Sequence, residues 1–276
     1  MLKMVGNELV KMFSGKRMYV FIAISLLVVI GTLASTKHMM ENMNTIKENI
    51  PANLNVPTVP EIALNGYSAS AITLDAISSF LVVVYIIVLA ASSITDEYRE
   101  GTLKLPLLQG VNRSSLIFSK LGALSIIIIF FLLFNFIVSI VSGAYLFGLG
   151  EKFMLQHPSY GKVELSIFEG FGVLLQMNGA TFLFLLAVAA ITMYISIKMN
   201  STANAIGIGV GLLIAMHVIG SLGLSINSYS IFGYIKFHEK VLNHDGVWLG
   251  MGVLLAHFAF FIILSLYDFK RKDLVH

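Results

Sequence analysis

Apolar residues in this chain gather in long uninterrupted blocks rather than in stripes that alternate with polar faces. An apolar helix needs about 20 residues to cross a hydrocarbon core of about 30 Å. Six blocks reach that length: Met18–Ser35, Ala71–Ile94, Leu116–Leu149, Leu174–Ile197, Ala203–Leu222 and Val247–Tyr267. At about 1.5 Å per residue the third would run to roughly 50 Å if straight, so the pattern predicts that it protrudes, tilts or breaks near Gly143. Only Lys-Met-Asn-Ser-Thr separates the fourth block from the fifth, which predicts a tight antiparallel helical hairpin. An even number of spans puts both termini on one side.

The polar intervals carry their own pattern. Before the first block, Leu2, Val5, Leu9 and Met12 share one helical face and Lys3, Asn7, Lys11 and Ser14 another, which predicts a helix over residues 1–17 lying along a membrane interface. Thr36–Ser70 holds three of the five prolines, Pro51, Pro57 and Pro60, and reads as a loop with one short helix before Pro51. Residues 223–246 form a broken segment ahead of the sixth block.

Composition agrees with the blocks: 57% of the 276 residues are hydrophobic, 12% are charged and the mean hydropathy is +0.86. These values lie outside the range of soluble domains and predict an all-α integral membrane protein. The basic N-terminus followed by an apolar run is superficially like a secretory signal, but the run is too long and its "TLAS" too weak a cleavage site, so it reads as an uncleaved span. The absence of cysteine excludes disulfide frameworks, thiolate metal sites and cysteine nucleophiles.

The net charge of +3 is dispersed at the ends of apolar blocks, which fits membrane topology better than nucleic-acid binding. Twelve of the 18 Lys and Arg fall on the side of the termini and six on the other. By the positive-inside rule the termini are cytoplasmic and the chain is a multi-pass protein of the cell membrane.

One stretch stands apart. Between Ser93 and Lys120 seven charged residues interrupt two long apolar runs. Gly101 stands where a helix stops in the left-handed conformation, and Thr102 is placed to cap a second, short piece, "LKLPLLQG". Pro106 limits that piece and Gly110 ends it. Asn112 and Ser114 are candidate caps for the third span, with Arg113 and Lys120 expected at headgroup depth and Glu97 and Arg113 expected to act as surface charges. The result is a broken helical hairpin over residues 95–115 that presents a small apolar knob.

The order Glu97, Glu100-Gly101-Thr102-Leu103, Leu107-Leu108, Arg113, Lys120 resembles the first cytoplasmic loop of the ABC transporter type-2 permease family. There a glutamate is followed by GTL, a leucine pair, a turn ending in arginine and a GK-like end. Here "GVNR" stands where a proline turn is common, and Ser119 precedes Lys120 in place of glycine. The resemblance extends over the whole chain as one permease domain, residues 1–276. It implies an N-terminal connecting helix, six spans, a coupling helix after the second span and a partly re-entrant outer hairpin before the sixth. It further implies coupling to an ATPase through Glu97, Glu100, Gly101, Thr102, Leu103, Leu107, Leu108, Arg113 and Lys120. The partners implied are a cytosolic ABC ATPase subunit, a second copy or a related permease, and the lipid bilayer. Residues Gly207 and Gly211 of the fifth span are candidates for helix packing in such a pair.

No G-x-x-x-x-G-K-[ST] occurs, so ATP and Mg2+ are expected on a partner subunit and no cofactor on this chain. Gly207, Gly209 and Gly211 imitate part of a dinucleotide fingerprint but lie inside an apolar span. Asn135, Asn178, Thr192, His217 and His257 are polar positions within spans, the two histidines expected to be satisfied by interhelical hydrogen bonds. His38, Met39, Met40 and Met43 form a cluster of soft ligands that reads better as apolar filler than as a copper site. Paired carboxylates at Asp96-Glu97 lie at the surface, no rhomboid-type serine motif is complete, and the two sequons fall on the cytoplasmic side.

The expected function is the membrane subunit of an ATP-driven exporter of a peptide, lipopeptide, drug or lipid, not catalytic alone. The alternative is a secondary transporter or channel, which calls for charge near mid-membrane where this sequence shows none. An intramembrane enzyme or assembly factor is the third class, and no catalytic set supports it.

Overall fold

The computed structural model describes residues 2–49, 64–157, 161–223 and 225–272. It is almost entirely helical, and six helices are long and apolar enough to cross a membrane. A short α1 (Leu2–Ser14) leads into α2 (Lys16–Asn49). The second span is composite: α3 (Ala69–Ala76), a π-helical turn over Ile77–Leu81, and α4 (Val82–Arg99). Then come the five-residue α5 (Lys104–Leu108) and the long α6 (Arg113–Phe147). A β-hairpin, β1 (Phe153–His157) with β2 (Gly161–Leu165), precedes α7 (Ile167–Lys198) and α8 (Thr202–Ser221). Two 3-10 turns, Ser225–Tyr229 and Ile231–Tyr234, and α9 (Phe237–Leu242) lead to α10 (Val247–Arg271).

Helices form here even where propensity is poor. The run "VVVYIIV" at the start of α4 is β-branched and would favour a strand in water, but in hydrocarbon each backbone N–H and C=O must be satisfied within its own segment. At the centre lie α4 and α7, whose apolar cores are mostly buried by the other helices. Ala180, Ala187, Ala189 and Ala190 of α7 are fully or almost fully buried, and such small residues let neighbouring backbones come close. Two helix pairs pack at glycine. A β-carbon on Gly209 of α8 would stand 2.6 Å from Ile87 of α4, and one on Gly66, just before α3, 2.7 Å from the backbone of Ala144 in α6.

Several expectations change. The first span does not end at Ser35: α2 continues through Thr36, His38 and Met43 to Asn49, and the expected proline loop 50–63 lies outside the described residues. The third span does not break at Gly143, where the helix runs on and that glycine seats Ala69 of α3. α7 begins seven residues earlier than its apolar block, at a capping box in which Ser166 accepts from the Glu169 N–H and Glu169 accepts from the Ser166 N–H. The β-hairpin was not foreseen. It places Phe153, fully buried, over Gly170 of α7.

Candidate functional site

Among the described residues a dense polar assembly lies at the end of the bundle where α1 begins and α10 ends. It is built from three elements: α1, the last turn of α4 and the first turns of α6. Lys120 of α6 is 0% exposed, and its Nζ lies 2.7 Å from Glu97 Oε2 and 3.0 Å from Glu8 Oε2. Lys11 of α1 closes the ring, with Nζ 2.7 Å from Glu97 Oε1 and 3.4 Å from Glu8 Oε1. Four charges thus alternate in sign around a closed circuit with no net charge. An isolated buried ammonium would be costly, and two carboxylates on either side are what permit Lys120 to stay charged there. Burial works against the charge of Lys11, but the hydrogen bonds and charges of Glu97 and Glu8 outweigh it and hold the Lys11 pKa above its ordinary value.

Helix geometry explains how α1 contributes. Met4, Glu8 and Met12 follow at i, i+4 and i+8 on one face, and Met4, Leu9, Met12 and Phe13 pack against the core. Glu8 is therefore the single charge inside an apolar stripe, and it is buried. Val5 rests on Gly122 of α6, two residues beyond Lys120.

The adjoining loop is held rigidly. Gly101 has φ +70° and Gly110 φ +79°, so both ends of the short helix turn through the left-handed region. Thr102 does not cap α5; its hydroxyl donates back to the Glu97 carbonyl at 3.4 Å, as does the Leu103 N–H at 3.2 Å. Leu103 is buried and Leu107 packs inward, whereas Leu105 (58% exposed) and Leu108 (83%) face outward. The exposed apolar residues of the knob are thus Leu105 and Leu108. Glu100 ends α4 as an exposed residue.

Arg113 departs from the role of a surface charge. One guanidinium nitrogen donates to the carbonyls of Phe269, Lys270 and Lys272, each at 2.9 Å, and so caps the C-terminal end of α10. Asn112 does occupy the N-cap position of α6, without a side-chain hydrogen bond. Lys272 in turn donates to the Ile197 carbonyl at 2.6 Å and lies over the Tyr98 ring, and Lys198 pairs with Asp268 at 2.7 Å. Asp96 accepts from Thr202 at 2.6 Å at the start of α8. Every span from the second to the sixth is therefore tied into this end of the bundle by at least one polar contact.

Sequence reasoning placed Lys120 at headgroup depth and Glu97 at the surface. Lys120 is instead fully buried and Glu97 partly so, because α1 folds over them. The sequence also missed Glu8 and Lys11 as their partners.

Deeper in the spans, the polar residues are mostly satisfied locally. The rings of His217 and His257 face the carbonyls of Leu213 and Val253 in their own helices, not a neighbour. Asn178 donates to Leu174 and Thr192 to Val188. One interhelical link is of a kind that the sequence did not suggest: Thr73 and Ser139 share a hydrogen bond of 2.6 Å, and Ser139 donates to Asn135. His38 pairs with Asn42 one turn along α2. Gly207 and Gly211 lie on an open face of α8, where an added β-carbon would meet nothing in this chain.

Comparison with known sequences adds the following. No curated protein matches the chain. A family model described as a protein of unknown function, DUF2705, matches residues 52–275, from before the second span to the end of the sixth. The chain is a multi-pass helical membrane protein that belongs to the DUF2705 family.

Proposed function

We propose that this protein is the membrane subunit of an ATP-driven transporter, an exporter resembling the type-2 ABC permeases, which works with a separate cytosolic ATPase. The observation that carries the reading is the buried circuit of Lys120, Glu97, Glu8 and Lys11 beside an exposed apolar knob. A coupling element must transmit force from a soluble partner to helices in the bilayer, so it must be short, anchored and able to engage an apolar pocket. Helix α5 has Leu105 and Leu108 free for that contact.

The anchoring follows from the charges. Glu97 carries α5 through two backbone carbonyl contacts, and the same residue shares its carboxylate between α6 and α1. Pulling Glu97 away from Lys120 would strand a buried ammonium, and breaking a buried pair costs about 3–5 kcal/mol. A push on α5 therefore moves α4, α6 and α1 as one unit. The twelve basic residues on this side favour a cytoplasmic orientation for it, the compartment in which such an ATPase would reside.

Between α6 and α7 lies a groove of about 460 Å3, lined by Leu132, Phe136, Phe171 and Leu175 with Asn178 as its polar residue. It suits an amphiphilic cargo such as a lipopeptide or lipid. The test is purification from native membranes: an ABC ATPase should accompany the chain, and ATP hydrolysis should belong to the complex and not to the chain alone. Robust hydrolysis by the isolated chain would refute the division of labour.

A further inference from the structure

At the opposite end of the bundle a second polar cluster joins the second span to the segment between α8 and α10. Asp75, on the last turn of α3, precedes the π-helical turn by two residues. Lys236 Nζ lies 3.0 Å from Asp75 Oδ1 and 3.0 Å from Glu239 Oε1. His238, in α9, is 2% exposed at its side chain, and its Nε2 points at Asp75 Oδ1 from 3.5 Å. That distance is too long for an N–H···O bond, and Nε2 is buried with no hydrogen-bond partner.

A buried imidazole nitrogen without a hydrogen bond is unfavourable, and here it faces the Asp75 carboxylate, with that of Glu239 nearby. The ligand atoms of Asp75, His238 and Glu239 all lie within 4.8 Å of one another. One imidazole and two carboxylates are a donor set found around zinc, and too few oxygens for calcium or magnesium. Donors about 2.1 Å from a tetrahedral ion stand roughly 3.4 Å apart, so the three side chains need close by no more than about 1.4 Å. The ammonium of Lys236 bridges the two carboxylates much as an ion would.

We propose that Asp75, His238 and Glu239 form a binding site for a divalent transition-metal ion of the zinc type, which enters by displacing the Lys236 ammonium. Bound metal would fix α9 to the second span at the π-helical turn, taking over the link that Lys236 makes. This site is independent of the exporter reading.

The probe is zinc, added to chelator-treated, tag-free protein in detergent and followed by competition with a fluorescent chelator. The wild type binds one equivalent. His238→Ala and Asp75→Asn each weaken that binding at least about tenfold. Lys236→Met strengthens it, because the competing cation is gone, an outcome that a merely structural lysine would not produce. The proposal fails if neither the wild type nor Lys236→Met binds zinc at micromolar concentrations. It also fails if binding is unchanged by His238→Ala, which would place the metal at another histidine.

Discussion

Lys120 and Glu97 meet at 2.7 Å inside the protein, one from the start of the third span and the other from the end of the second. The contact bridges the loop between these spans at its base, so the position of α5 is set by a buried charge pair and not by the loop's own flexibility. Glu8 and Lys11 then bring the N-terminal helix into the same unit.

Single removal of either charge should be costly and joint removal much less so. Lys120→Met leaves Glu97 and Glu8 facing each other across Lys11 alone, and Glu97→Ala leaves the buried ammonium with one carboxylate. Each should destabilise the protein by about 3–5 kcal/mol, whereas Glu97→Gln with Lys120→Met should recover a large part of that loss. Thermal unfolding in detergent of the two single variants and the double variant measures the coupling; additive losses would show the pair to be energetically unimportant.

The link made by Lys11 has a defined pH window. Its pKa is raised in the folded protein above the ordinary value of 10.5, so its stabilisation is complete below that value and is lost as pH climbs through the higher folded pKa. Spin-label distances between α1, at Leu2, and the loop, at Glu100, should stay constant from about pH 6 to pH 9 and widen only in strong alkali. Lys11→Met should abolish that alkaline transition.

Arg113 should be replaceable neither by alanine nor by lysine. A lysine ammonium on a flexible stem does not reproduce the fixed planar guanidinium, one nitrogen of which meets all three carbonyls. Arg113→Ala should lose about 1.5–3 kcal/mol of local stability, seen as faster amide exchange in the last turn of α10 with the centre of the bundle unchanged.

The two kinds of glycine in α8 should behave differently. Gly209→Val drives a branched side chain into Ile87 and should destabilise the bundle by about 1–3 kcal/mol. Gly207→Ala and Gly211→Ala meet open space and should leave the melting temperature of the monomer unchanged.

Orientation is testable because the chain has no cysteine. In intact cells an impermeant thiol reagent should label Glu151→Cys, an exposed position in the turn after α6, and spare Gln109→Cys. The reverse pattern would turn the bundle over and remove the knob from the cytosol.

The six spans could be read from the sequence because hydrocarbon length and backbone satisfaction leave a long apolar block little choice. Their ends were harder. The capping box of Ser166 and Glu169 was legible as S-x-x-E, but the apolar block starts later and drew attention from it. The hairpin also left a trace: Phe153 and Leu155 stand at the two-residue spacing that puts both on one face of a strand. What composition could not reveal is burial by a distant element. Lys120 looks like an interfacial lysine until α1 is laid over it, and that requires knowing that Glu8 points inward. A glutamate between Met4 and Met12 at helical spacing was the available clue. The Asp75, Lys236 and His238 cluster gave no comparable signal, since its members are about 160 residues apart and meet only through the packing of the helices.

The most direct measurement is the ATP turnover of the complex purified from native membranes with Leu108→Glu in place of the wild-type knob, normalised to the amount of chain inserted. Leu108 is 83% exposed and contributes little to the fold, so the variant should insert normally. The account predicts that the ATPase no longer co-purifies and that associated ATP hydrolysis falls to background. An ATPase retained at wild-type stoichiometry and turnover, or the absence of any ATPase from the wild-type preparation, would contradict it.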